Sequence, residues 1–345
     1  MHFKGELGYN RVMRLRHLFF FLAFVVIAVL VIVQIGQFQQ LLDVIKRVNL
    51  WILLGVLVLR YFYYFTNTKY FQAYFANFNH RLAFKPLMRD VVVMNFADTV
   101  FPSGGVSGIA VIRGRLRRHN ISAHTSTVAQ ALYRGFTGIS FVVLLLVSLV
   151  FLFFSKRIEM VSFRLILVAL LFMLVASILL VGLLLNRKLF TRIAYFLTRP
   201  FNWFLKKFKR NSLSREQLMG LINQFYDTMR VYRKDWHKLL RPYMWCFLSL
   251  VIDIASLYLV FVAFGVYPNI GVILAAFLVA MVLSLVSVFT AGIGVFELSM
   301  VSILVGLGMS FDVSFSASIV YRFIALWLFL PIGLYFYKKA MLDEK

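Results

Sequence analysis

Six apolar runs, at about 18–36, 48–66, 128–154, 162–185, 243–265 and 314–338, are each long enough to cross the roughly 30 Å hydrocarbon core of a bilayer as a helix. In that solvent every backbone N–H and C=O must find its partner inside the protein, which leaves helices or closed barrels. A barrel would show short alternating segments, and these runs are long and unbroken. With 62% hydrophobic and only 14% charged residues, the chain predicts an all-α polytopic membrane protein, with residues 1–345 as a single integral-membrane domain. The first run follows Lys4, Arg11, Arg14 and Arg16 and has no small-residue cleavage site, so it is expected to stay as the first span.

Two further apolar stretches, about 91–112 and 271–309, are interrupted by glycine. The interruptions are related. Pro102-Ser103-Gly104-Gly105-Val106-Ser107-Gly108 is followed by Tyr133-Arg134, and Thr290-Ala291-Gly292-Ile293-Gly294-Val295-Phe296-Glu297 by Tyr321-Arg322. Gly292, Tyr321 and Arg322 lie 188 residues after Gly104, Tyr133 and Arg134. The pattern defines a first repeat element over about 91–154 and a second over about 271–338. Broken hydrophobic segments in corresponding places of two halves point to a transporter-like site at the repeat interface.

The formal net charge is +24. The basic residues cluster beside apolar runs, so anionic membrane lipids, and not nucleic acid, are the expected partner. With the N-terminus in the cytoplasm and both interrupted stretches acting as hairpins, most of the 37 basic residues fall inside. Lys46, Arg47, Lys156, Arg157 and Arg164 remain outside, and Arg60, Arg134 and Arg322 lie in or at the membrane. This agrees with the positive-inside rule and puts the C-terminus in the cytoplasm too. The expectation is therefore about six full spans plus two re-entrant hairpins in an inverted repeat. If only one limb of 271–309 crosses, the C-terminus lies outside, against the placement of Lys338 and Lys339; a hairpin and two full spans both leave it inside. The cytoplasmic segment 186–242 carries a capping box at Ser214-Arg215-Glu216-Gln217. An apolar stripe follows through Leu218, Leu221, Ile222, Phe225, Met229, Tyr232, Trp236 and Leu239. Arg230, Arg233, Lys234 and Lys238 lie opposite, so the helix either lies in the inner interface or packs on the protein's own cytoplasmic face.

Ionisable residues inside spans are costly and face an interior path or a partner. Here they are Arg60, Asp98, Arg134, Asp253, Glu297 and Arg322. Arginine suits a phosphate because its planar fork donates two parallel hydrogen bonds. Helix N-termini freed at Gly104, Gly105, Gly292 and Gly294 add backbone N–H groups that favour an anion. The candidate lipid-phosphate site is therefore Arg134, Arg322 and these four glycines. Asp98, Asp253 and Glu297 are expected to balance its charge or carry coupling protons. The bland alternatives are a Gly104-xxx-Gly108 packing motif and static buried ion pairs.

No Gly-x-Ser-x-Gly elbow, carboxylate cluster for Mg²⁺ or Walker loop occurs, so no enzyme, catalytic residue or cofactor is expected. The histidines at 2, 17, 80, 119, 124 and 237 never pair at helical spacing, which gives no metal site on one helix. Cys246 stands alone, excluding an internal disulfide.

These motifs resemble the bacterial flippase-like transmembrane family best known as the membrane half of lysylphosphatidylglycerol synthase. Pro102–Gly108 matches its Pro-Gly-Gly-rich first element. Thr290–Glu297 with Tyr321-Arg322 matches its second, Glu297 standing at the acidic position. Thr-Ala-Gly replaces the usual Pro-Gly-Gly there, and Phe296 replaces a common basic residue. The resemblance implies a multi-pass bacterial inner-membrane protein that moves a phospho- or polyprenyl-linked lipid substrate between leaflets, without an ATPase. The soluble aminoacyl-transferase half is absent from this sequence, so the chain is not expected to make the lysyl lipid. Two other readings stand beside it. One is a non-transporting scaffold or accessory subunit of an envelope-lipid or glycolipid biosynthesis enzyme, docked through 186–242. The other is a polyprenyl-phosphate transferase using Asp43 or Asp312. Homo-oligomerisation, lipid identity and direction are open at this level.

Overall fold

Asn49 opens the first described helix. Its side chain accepts the backbone N–H groups of Trp51 at 3.0 Å and Ile52 at 3.4 Å, donors that a helix start leaves free. The computed structural model describes residues 48–100, 106–119, 121–155, 160–196, 215–286, 292 and 294–342. Its helices are α1 (Leu50–Ala76), α2 (Phe84–Val100), α3 (Val106–Leu116), α4 (Ala123–Ser155), α5 (Met160–Leu185), α6 (Arg215–Lys234), α7 (Leu240–Ala263), α8 (Ile270–Val286), α9 (Val295–Gly306), α10 (Phe311–Arg322) and α11 (Phe329–Leu342). Residues 187–196 are also helical, and no strand occurs among the described residues.

Four helical stretches are long and apolar enough to cross a membrane: Leu50–Ala76, His124–Phe154, Trp236–Ala263 and Phe311–Lys339. They cover four of the six expected spans. The 162–185 run falls in α5, where Ile166–Leu179 forms a shorter apolar stretch. The 18–36 run lies outside the described residues, as do Gly104 and Gly105. Large apolar side chains point outward on these helices, for instance Val168 and Leu171 at 65% and 67% exposed. Such a surface suits a lipid solvent.

Both interrupted stretches form helical hairpins: α2 packs on α3, and α8 on α9. The 12 residues of α9 rise only about 18 Å, too short for a full crossing. The two halves interlock. The most extensive helix contact joins α1 to α7, the helix preceding each hairpin. The α8 hairpin limb packs on α4, and α2 packs on α11, so each hairpin rests on the other half's long helix. Glycine permits both crossings. A Cβ on Gly271 would stand 2.7 Å from Phe151 Cβ, and one on Gly333 2.6 Å from Phe96 Cβ.

The helix that follows the second hairpin is not regular. Phe323–Trp327 forms a π turn between α10 and α11, with the Leu328 N–H donating to Phe323 O at 3.1 Å. Pro331, with no N–H to offer the carbonyl of Trp327 four residues back, accounts for the slip. The turn begins immediately after Arg322.

The segment before α7 departs from its expected shape. Helix α6 is described from Arg215, with Ser214 of the capping box outside the described residues, and ends at Lys234. Asp235 leaves helical geometry (φ −147°, ψ 88°), and Trp236–Leu239 is a 3₁₀ turn. The stripe is therefore broken at Trp236, which is 60% exposed, while Leu239 still packs against the same core. Ile222, Phe225, Met229 and Tyr232 are buried with Tyr70 and Tyr74 of α1. Phe225 stacks on Phe190 with ring centroids 5.0 Å apart. Of the two readings open to the sequence, packing on the protein's own face is the one observed. On α1, Tyr61 and Phe62 are exposed, whereas Tyr64 is buried.

Candidate functional site

Asp98 sits in the last turn of α2, facing the start of α3. Its Oδ1 accepts the backbone N–H of Gly108 at 2.8 Å, and its Oδ2 accepts from Arg134 Nη2 at 2.7 Å. A Cβ at Gly108 would fall 2.4 Å from the Asp98 carboxylate, so only glycine admits this contact. Ser107 Oγ donates to Ala97 O at 2.8 Å and closes the same junction. Gly108 thus receives a carboxylate, a role more specific than the packing motif expected of it.

The second half does the same with a different residue. Glu297, in the first turn of α9, accepts the Gly294 N–H on Oε2 at 2.7 Å and Arg322 Nε on Oε1 at 2.7 Å. Gly294 is the N-cap residue at φ +84°, and Gly292 adopts φ +63°. Both conformations are open to glycine at little cost. A Cβ on Gly292 would also stand 2.4 Å from Ser284 Cβ on α8. In each half, then, a carboxylate joins the N-terminus of the short helix to the arginine that follows it. The repeat relation explains the arginines but not the acids, since Asp98 comes before its break and Glu297 after.

Asp253 has another partner. On α7 it forms a buried ion pair with Arg60 of α1 and accepts the Tyr321 hydroxyl at 2.6 Å. Arg60 also donates to Ser256 Oγ at 3.3 Å and lies over the Tyr63 ring at 5.0 Å. Tyr133, the repeat counterpart of Tyr321, instead hydrogen-bonds Asn67 of α1. Asp253 therefore balances Arg60, a pairing that sequence reasoning did not assign. A further pair, Asp90 with Arg115, ties α2 to α3 and was likewise not anticipated. Neither partner of these pairs is near the other in sequence, so no periodicity marks them.

Arg134, Arg322, Asp98 and Asp253 line one cavity of about 510 Å³. Its walls come from α1, α2, α4, α5, α7, α8 and the α10–π junction, and so from both halves. Asn95, Thr99, Thr137, Ser177 and Ser249 add polar groups. Ser177 Oγ is buried and makes no hydrogen bond among the described residues. Met94, Phe141, Met173, Leu250, Met281 and Leu326 make the rest apolar. Of the residues that sequence reasoning left out, Asn95 and Thr99 share the Asp98 face of α2 at helical spacing, a signal that was available. Ser177 and Ser249 carry none. Among the described residues no three His, Cys, Asp or Glu side chains gather to hold a metal.

The arrangement is that of a helical, multi-pass membrane protein in which helices from both parts of the chain enclose an amphiphilic cavity bearing two arginines. The chain belongs to the family of the lysylphosphatidylglycerol synthase TM region, whose model matches residues 20–333. It is also similar to two UPF0104 membrane proteins of Methanothermobacter thermautotrophicus. One is 28% identical over 136 residues, covering 38% of this chain and 40% of the relative. The other is 32% identical over 100 residues, covering 28% of this chain and 30% of the relative. The matched part thus spans less than half of either relative's length. No solved structure matches.

Proposed function

We propose that this protein translocates a phosphate-bearing lipid, phospho- or polyprenyl-linked, between the leaflets of the inner membrane without chemically altering it. The observation that carries this reading is that Arg134 and Arg322, equivalent in the two halves, line the same cavity. The apolar wall suits the glycerol–acyl junction, and the arginines suit the phosphate.

Asp98 and Glu297 occupy the two helix N-termini as resident anions. A phosphate reaching Arg134 competes with Asp98 for the guanidinium and for the Gly108 N–H. Arg134 is the accessible partner in this conformation, with its side chain 44% exposed against 11% for Arg322. Two related halves whose equivalent arginines differ in access suit alternating access, in which the second half opens as the first closes. An inverted repeat with both termini cytoplasmic completes this picture. Without an ATP-binding motif the movement is downhill or ion-coupled. Asp98 is the first candidate for a coupling proton, followed by Glu297 and Asp253, because displacement from its cation favours its neutral form. The scaffold reading draws no support from α6, whose apolar face is buried within the protein itself.

The test is transbilayer movement of a labelled phosphatidylglycerol in proteoliposomes holding wild type, Arg134→Ala or Arg322→Ala. Rates should fall to the protein-free background in both variants. Undiminished rates in both would remove the phosphate role of these arginines.

A further inference from the structure

A second groove lies apart from the central cavity, between α1, α2 and α11. It has a volume of about 270 Å³ and is lined by Tyr61, Tyr64, Val92, Phe329, Ile332 and Phe336, with Lys85, Met88 and Arg89 along α2. Lys85 and Arg89 are exposed and stand one helical turn apart on the same face. Like charges at that spacing repel one another. Among the described residues no acidic side chain lines the groove. The nearest carboxylate in sequence, Asp90, is buried and paired with Arg115. Arg89 lies over the Phe336 ring at 6.0 Å, so its guanidinium is held above the aromatic wall. Two cations therefore stand together, without a countercharge among the described residues, at the rim of a slot whose walls are aliphatic and aromatic.

We propose that this groove is a second lipid site, which holds one anionic phospholipid. Its phosphate lies between Lys85 and Arg89, and an acyl chain lies along Val92, Phe329 and Ile332. The paired charge selects an anion, and the apolar slot selects a chain over a free ion. Ile332, 44% exposed on α11, leaves the groove open along its flank. The groove's floor includes α11, which α2 touches where Phe96 meets Gly333, so an occupant braces the contact between the halves. The site is independent of the transport reading, because it shares no lining residue with the central cavity.

The experiment is native mass spectrometry of the full chain released from nanodiscs of phosphatidylcholine containing one-fifth phosphatidylglycerol. Wild type should keep one phosphatidylglycerol that Lys85→Gln/Arg89→Gln loses, with at least a tenfold drop in occupancy. Arg134→Ala should keep it, which separates this site from the central one. Lys85→Arg/Arg89→Lys should restore it. Ile332→Gln, a substitution on an exposed surface, should weaken it several-fold with the charges intact. Equal occupancy in wild type and the double Gln variant would overturn the proposal. So would displacement of the lipid by millimolar inorganic phosphate, since the groove would then be reading charge alone.

Discussion

Arg134 and Arg322 hold the same place in the two halves, yet one side chain is 44% exposed and the other 11%. Each binds a carboxylate at 2.7 Å, and each carboxylate also takes the N-terminal N–H of a short helix. The difference is depth. Arg322 also lies over the Phe296 ring at 4.7 Å and carries its pair with Glu297 into the protein. Arg134 keeps contact with the cavity.

The two arginines should therefore differ in their effect on stability while sharing an effect on transport. Arg322→Ala leaves Glu297 buried without its cation, a loss of about 3–5 kcal/mol. Arg134→Ala removes a more exposed cation but still leaves Asp98, only 16% exposed, without it, so it should cost less than Arg322→Ala without being neutral. Thermal unfolding in detergent should show a drop for both variants, the larger one for Arg322→Ala. The reverse order would contradict the depth difference.

Asp98→Asn keeps an acceptor for the Gly108 N–H and removes the charge that competes for Arg134. Retention of phosphatidylglycerol in the central cavity should rise, by about tenfold if ~1.4 kcal/mol of competition is relieved. Weaker retention, measured by lipid extraction from the purified variant, would show that Asp98 assists phosphate binding.

The Arg60–Asp253 pair admits a double-mutant test. Asp253→Leu leaves Arg60 buried without its countercharge and should cost about 3–5 kcal/mol, Arg60→Met should cost a similar amount by stranding Asp253, and the two together should recover most of that loss. Tyr321→Phe, which removes a hydrogen bond to a charged acceptor, should cost about 1.5–3 kcal/mol. A cycle in which the two single losses simply add would deny the pairing.

Gly271→Ala and Gly333→Ala should each overpack a crossing between the halves, at about 1–3 kcal/mol. Gly182→Ala serves as control, because a Cβ there meets nothing within 4 Å. Equal melting temperatures for all three would contradict the close approach of α4 to α8 and of α2 to α11.

The apolar runs and their glycine breaks determined the membrane class, four of the spans and both hairpins, because bilayer thickness and backbone satisfaction act on consecutive residues. The offset of 188 singled out Arg134 and Arg322, since a repeat writes the same residue twice. What only the tertiary structure decided was partnership. Asp253 goes to Arg60 rather than to either repeat arginine, Asp98 and Glu297 do one task from unrelated positions, and α6 turns its stripe inward. A buried charge is neutralised by whatever lies nearest in space, and that neighbour comes from a helix tens or hundreds of residues away.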